Sequence, residues 1–276
     1  MERWARPQTE TERAHAAEAR DFVADRLAGL GEAWPIDQFD VFLQGSAVNG
    51  TAVAGGSDID VAVVWKGELD EGVPQLHMTG LEATYEQLVN DVWWEFTEAQ
   101  IGTFAIRTSE FSSVAVDVVP AIRCERDGEV GFVVPGGTSL AMGEFEGWPF
   151  RHTAAIEARD RELDGRLRPV VRAIKGLRNF RHTHTGYPEE LPSYLLESLA
   201  MAAPGSVYTG ELSEDVFGLI QWAEDSVSDE ERRSSLLTPD GRSEIFAGFQ
   251  KWNPWVVGGG LVELSYVLES RDAFGA

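Results

Sequence analysis

Asp58 and Asp60, two residues apart in SDIDVAVVW, are the residues whose types and spacing most directly suggest chemistry. Side chains alternate across a strand, so carboxylates at i and i+2 share one face. Side by side they repel unless a cation lies between them, and hard oxygen ligands of this kind suit Mg2+, commonly shared with a substrate phosphate. Upstream, the apolar run VFLQGS ends in Gly45-Ser46, a turn that offers a phosphate backbone N–H groups with no Cβ in the way. A third acid, Asp117, lies inside the β-branched run SSVAVDVVPAI. Buried unpaired, it would cost several kcal/mol, a cost that a salt bridge or membership of the same metal cluster would remove. Singly, a Gly-Ser is an ordinary turn and an Asp-x-Asp an ordinary solvated strand end. In this order, on consecutive predicted strands, they form a pattern.

The elements that must position these residues follow from periodicity. Residues 9–30 read as an amphipathic helix with Ala14, Ala17, Phe22, Val23, Leu27 and Leu30 as its apolar stripe, ended by Gly31. Strands are predicted over 39–43 and 59–65, with a helical turn over 47–50, and a helix over 81–96. Within that helix the Trp93-Trp94 pair reads as packing. Residues 101–108 and 113–119 read as two further strands, and 128–148 as a loop or short hairpin.

From His152 the character changes to helices. Leu163, Leu167, Val170, Val171, Ile174 and Leu177 hold helical spacing, and Pro169 either starts a new helix at its first turn or kinks one. The other face carries Arg172, Lys175, Arg178 and Arg181, which reads as a solvated face paired with acids or as a functional stripe. In LPSYLLESLA, Ser193 can cap the next helix, and Glu197 is expected on its surface or paired with an arginine. His182 and His184 lack a third ligand nearby, so a metal is not assigned to them. Residues 211–237 read as one or two surface helices. The tail over 246–268 closes the core around Trp252 and Trp255, with a break at Gly258-Gly259-Gly260.

Composition bounds the rest. The 276 residues suffice for one large domain or two joined lobes. The net charge of −23 disfavours direct nucleic-acid binding except through a local basic cluster. Lysine occurs only at Lys66, Lys175 and Lys251. A single cysteine, Cys124, excludes an internal disulfide framework and fits a reducing cytoplasm. No run is apolar enough to span a membrane, and the first twenty residues are too polar for a signal peptide.

The segment QGSAVNGTAVAGGSDIDV resembles the signature of the polymerase-beta-like nucleotidyltransferases, and more closely that of the bacterial CD-NTases, relatives of animal cyclic GMP-AMP synthase and oligoadenylate synthase. The resemblance implies an α+β fold. Residues 1–150 would form the nucleotidyltransferase lobe, a twisted mixed sheet with helices, and residues 151–276 a helical lobe closing a nucleotide cleft. It implies that Asp58, Asp60 and Asp117 are the catalytic acids, holding two Mg2+ ions with Mn2+ as an alternative. It implies that Gly45, Ser46, Lys175 and Ser193 bind the nucleotide's phosphates, and that Tyr194 stacks on its base. By the same resemblance the substrates are ribonucleoside triphosphates. The product is a cyclic di- or oligonucleotide that activates a downstream effector in bacterial antiphage defence. The alternatives are a transferase that tags a small molecule, a tRNA or a protein, and a catalytically silent nucleotide-binding regulator.

Overall fold

Thr9 opens the first long helix with a reciprocal cap: its hydroxyl accepts from the Glu12 N–H while the Glu12 carboxylate accepts from the Thr9 N–H. The computed structural model describes residues 1–55, 58–66, 78–102, 105–112, 114–126, 128–134, 145–185, 191–247 and 252–269. The chain divides into two units, one of Thr9–Val48 with Ser57–Phe150, the other of Met1–Gln8 with Asn49–Gly56 and Arg151–Ala276. Where the sequence suggests one cut after residue 150, two short segments of the first half group with the helical second half.

A one-turn helix, α1 (Glu2–Ala5), precedes α2 (Glu10–Leu27). The buried positions of α2 are Ala16, Ala19, Val23 and Leu27, while Ala14 is exposed. Its alanines offer several helical phases, and packing against the sheet selects one. There follow β1 (Phe39–Gln44), α3 (Gly45–Asn49), β2 (Ile59–Trp65) and α4 (Met78–Trp94). The remaining strands are β3 (Ala99–Ile101), β4 (Ile106–Thr108), β5 (Val116–Arg126), β6 (Glu129–Val134) and β7 (Phe145–Gly147).

The sheet runs β1-β2-β5-β4-β3, with β6 beside the later half of β5 and β7 beside β6. Among the described strands only β2 and β5 pair in parallel, so the sheet is mixed. The single strand expected over 101–108 is instead a hairpin, β3 to β4, joined by a Gly102 N–H bond to the Ala105 carbonyl. Of the loop or short hairpin expected over 128–148, the hairpin is what forms: β6 and β7 pair antiparallel, and the residues between them lie outside the described ones. Pro120 falls in the gap between β4 and β6 on one edge of β5, where its missing N–H leaves no ladder bond unmade. Val23, Leu27, Val61, Val63, Leu88 and Val118 belong to one core beneath α2 and α4. By strand alternation, Asp60 and Asp117 face the other side of the sheet.

The helical unit comprises α1, α5 (Pro149–Glu162), α6 (Leu167–Thr185), α7 (Ser193–Ala202), α8 (Leu212–Ser228), α9 (Glu230–Ser234) and α10 (Pro254–Glu269). Asp164 and Gly165, both at positive φ, separate α5 from α6, and the buried Asp160 carboxylate accepts from the Arg168 N–H in the first turn of α6. Leu167, Val170, Val171, Ile174 and Leu177 are buried as the periodicity predicts, alongside Leu195, Leu219 and Leu261. The three glycines do not break α10. Gly260 is buried there against Leu191, where a Cβ would be crowded. Among the described residues no helix is long and apolar enough to cross a membrane.

Candidate active site

Strand pairing sets Gln44, Asp60, Asp117 and Arg107 in one transverse row across β1, β2, β5 and β4. Directly paired residues share a face, so the two carboxylates are neighbours across adjacent strands, about 4.8 Å apart in backbone. Asp58 lies just before β2 rather than in it. Its Oδ1 is 2.8 Å from Arg107 Nη2, while Arg107 Nη1 is 3.6 Å from Asp117 Oδ2. One guanidinium thus bridges two acids from different elements. The other Asp117 oxygen, Oδ1, is buried with no hydrogen-bond partner among the described residues. Burial pushes the Asp117 carboxyl above its ordinary range; Arg107 draws it down, and Asp58 adds to the rise.

Gly45 closes the turn between β1 and α3 with φ +65°, in the left-handed region. A Cβ there would also collide with the Asp60 carboxylate. Glycine is therefore required twice, by conformation and by space. Ser46 follows it, half-buried.

Among the described residues, no three His, Cys, Asp or Glu side chains converge as a metal cage. The local chemistry nonetheless suits a divalent cation: the donors are carboxylates, one oxygen is unsatisfied, and a cation already lies between two of the acids.

The helical unit holds the other expected site residues, and here the structure corrects the sequence reading. Arg172, Lys175, Arg178 and Arg181 form no solvated stripe, since all four are buried. Arg172 donates to the carbonyls of Ala5 and Gly50, Arg178 to the carbonyl of Leu191 and to Ser193 Oγ, and Arg181 pairs with Glu263. Lys175, expected on the triphosphate, is 1% exposed. Its ammonium lies 2.5 Å from Glu197 Oε1 and donates to Thr51 Oγ1 at 3.2 Å. In this conformation its charge is committed to a carboxylate instead of being presented to a phosphate.

Glu197 is neither on the surface nor paired with an arginine. It is 3% exposed and gathers Lys175, the Thr51 hydroxyl, Asn49 Nδ2 at 3.3 Å and His152 Nε2 at 3.2 Å. Burial alone would raise its pKa, but the Lys175 ammonium and His152 overcome this and hold the carboxyl well below the usual carboxylate range. Thr153 donates to Asn49 Oδ1, and Arg168 to the Asn49 carbonyl, both at 2.8 Å. Asn49, Gly50 and Thr51, which follow the Gly45-Ser46 turn in the chain, are thus held by α5, α6 and α7.

Ser193 makes no cap; Pro192 is the N-cap of α7, and Ser193 accepts from Arg178 at 3.3 Å. Tyr194 sits edge-on to His152, with ring centroids 5.3 Å apart, and beside Trp252 at 6.1 Å. Burial raises its phenol above the ordinary range. The tryptophan pair divides: Trp93 donates to the Ala99 carbonyl and packs on the sheet core, while Trp94 is exposed. Sequence reasoning missed Arg107, Asn49 and Thr51, and misplaced Glu197. Only the rarity of lysine pointed towards any part of this network.

Residues 27–134 match the family model described as a nucleotidyltransferase domain, a span that includes Gly45, Ser46, Asp58, Asp60 and Asp117. With a mixed sheet presenting paired acids beside a Gly-Ser turn, this defines the chain as a nucleotidyltransferase. Residues 154–259 match the cGAS/DncV-like nucleotidyltransferase C-terminal helical domain. In its helical half the chain is thus similar to the CD-NTases.

Relatives agree with this assignment. A cyclic UMP-AMP synthase of Rhodothermus marinus is 24% identical over 275 residues, covering 92% of this chain and 91% of that protein. A cyclic dipyrimidine nucleotide synthase of Legionella pneumophila is 25% identical over 233 residues, covering 76% and 77%. The solved structure of Rhodothermus marinus CdnE c-UMP-AMP synthase with Apcpp and Upnpp shares the fold at a TM-score of 0.72, with 20% identity and coverage of 100% and 96%. That of Elizabethkingia meningoseptica CdnE cyclic dinucleotide synthase with GTP and Apcpp also gives 0.72, at 17% identity and 97% coverage of both chains.

Proposed function

We propose that this enzyme joins ribonucleoside triphosphates into a cyclic di- or oligonucleotide with release of pyrophosphate, acting in the cytoplasm in antiphage signalling of the CBASS type, where the product activates an effector. The observation that carries the chemical part is the row in which Asp60 and Asp117 stand side by side, with Gly45 packed on Asp60 and Asp58 tied to the same guanidinium. Two acids in register on parallel strands suit a site that gathers cations around phosphate. The signalling role rests on likeness to the cyclic nucleotide synthases and on a STING-associated CdnE among the related structures.

In this reading Asp58, Asp60 and Asp117 would hold two divalent ions, Mg2+ or Mn2+. Such ions would supply charge neutralisation on the phosphates and acidify the attacking hydroxyl. The chain's own part is positioning. The positive φ of Gly45 turns the backbone so that Gly45 and Ser46 can offer N–H groups to terminal phosphates. The hydrogen bonds on Asn49, Gly50 and Thr51 hold the chain that follows that turn. Tyr194, in its aromatic cluster, would provide the base-stacking surface, and Ser193 a phosphate contact.

The test is direct. Purified protein is incubated with Mg2+ and the four ribonucleoside triphosphates, singly and in pairs, beginning with UTP and ATP because of the Rhodothermus relative. Phosphatase-resistant products are then identified by mass spectrometry. A cyclic oligonucleotide made by the wild type and absent with Asp58→Ala and Asp117→Ala is the expected result. Pyrophosphate released only when a separate acceptor is supplied would select the tagging transferase. Magnesium-dependent nucleotide binding without turnover would select the silent regulator.

A further inference from the structure

Arg107 belongs to β4, a strand of three residues, yet it touches two acids brought together from a pre-strand turn and from β5. Its side chain is half exposed, so neither pair is a deeply buried structural bond, and each taken singly is worth little in water. What distinguishes the arrangement is the register. Arg107 stands opposite Asp117 on β4, and Asp60 stands opposite it on β2, so the guanidinium enters the acid row from its end and reaches across to Asp58. Without that cation, Asp58 and Asp117 would face each other with like charge, and Asp117 already holds one buried oxygen without a partner among the described residues. A guanidinium is planar, always charged and matched to carboxylate oxygens. It is also monovalent and tethered, so a divalent ion entering the same oxygens must displace it.

We propose that Arg107 is the resident counter-cation of the acid cluster, a positioning residue that keeps Asp58 and Asp117 converged in the metal-free enzyme and competes with divalent cations for their oxygens. The inference rests on the reading of these acids as divalent-cation ligands. It predicts that the chain's own arginine sets the cation concentration at which the site loads.

The experiment is a Mn2+ titration of the full chain without nucleotide, followed by the electron paramagnetic resonance of free Mn2+, on the wild type, Arg107→Gln and Arg107→Lys. Folding is checked by circular dichroism, and metal-free and Mn2+-loaded melting temperatures are recorded in parallel. Arg107→Gln should bind Mn2+ about three- to tenfold more tightly than wild type, from the loss of two weak ion pairs. Its metal-free melting point should fall, and its gain on Mn2+ addition should exceed that of the wild type. Arg107→Lys, which keeps the charge but not the fork, should lie between and provides the comparison if the glutamine variant does not fold. Equal or weaker Mn2+ binding by a folded Arg107→Gln overturns the competition. Absence of Mn2+ binding by wild type and variants alike overturns the metal-site reading itself, and with it this proposal.

Discussion

Lys175 Nζ lies 2.5 Å from Glu197 Oε1, with both side chains almost wholly removed from solvent. The pair joins α6 to α7 and, through Thr51 and Asn49, fixes the segment that follows the Gly45-Ser46 turn. In so sheltered a place each charge is tolerable only because the other is present.

Removing one partner should therefore be more harmful than removing both. Lys175→Met is expected to lower unfolding free energy by about 3–5 kcal/mol, since Glu197 would remain buried without its cation. Lys175→Met combined with Glu197→Leu should recover much of that loss. Urea unfolding midpoints of the two variants decide the matter, and a single variant as stable as wild type would show that the pair carries no such load.

The same pair gives an acid-side signature. The carboxyl of Glu197 is held below its unfolded value, so its contribution is present above the ordinary glutamate range of about 4.3 and is lost as pH falls below it. Between about pH 5 and 3, wild type should lose more stability than Glu197→Gln, whose uncharged side chain does not titrate. Parallel melting curves for the two proteins across this window are the measurement.

Asp117 should behave with the opposite sign. Its carboxyl is raised by burial, so its favourable contribution is present below the unfolded pKa and is lost as pH rises through the folded one. In the absence of divalent ions, Asp117→Asn should gain stability relative to wild type as pH rises from the aspartate range towards neutrality. Adding Mg2+ should stabilise wild type at neutral pH and have little effect on the variant. Thermal denaturation with and without Mg2+ tests both statements.

Gly45→Ala should separate folding from chemistry. A left-handed conformation costs a non-glycine residue about 1–2 kcal/mol, a modest fall in melting temperature for a chain of this size. The added Cβ also pushes into the Asp60 carboxylate. Displacing a positioned group by about 1 Å can lower a rate on the order of a hundredfold, so pyrophosphate release should fall far more than stability does. A variant with unchanged turnover would remove Gly45 from the site.

The sequence by itself determined the short-range features of this protein. The Gly-Ser turn, the strand that carries Asp60 and the acid inside an apolar run at Asp117 are all local patterns, readable because strand periodicity and the cost of burying charge act within a few residues; Asp58 lies just before that strand, where alternation does not place it. The apolar repeat of α6 was legible for the same reason. Which charged groups become partners was decided only by the fold. Lys175 meets Glu197 across 22 positions and Thr51 across 124. Arg107 reaches Asp58 and Asp117 because β4 pairs with β5 and β5 with β2. A basic helical face reads the same in sequence whether water or a buried carboxylate covers it. The three glycines of α10 read as a break until close packing against Leu191 gives one of them a reason to lie within a helix. Local periodicity chose the elements; burial and long-range pairing chose the partners, because the electrostatic cost of an unpaired charge depends on what surrounds it, and that is set only once the chain has folded.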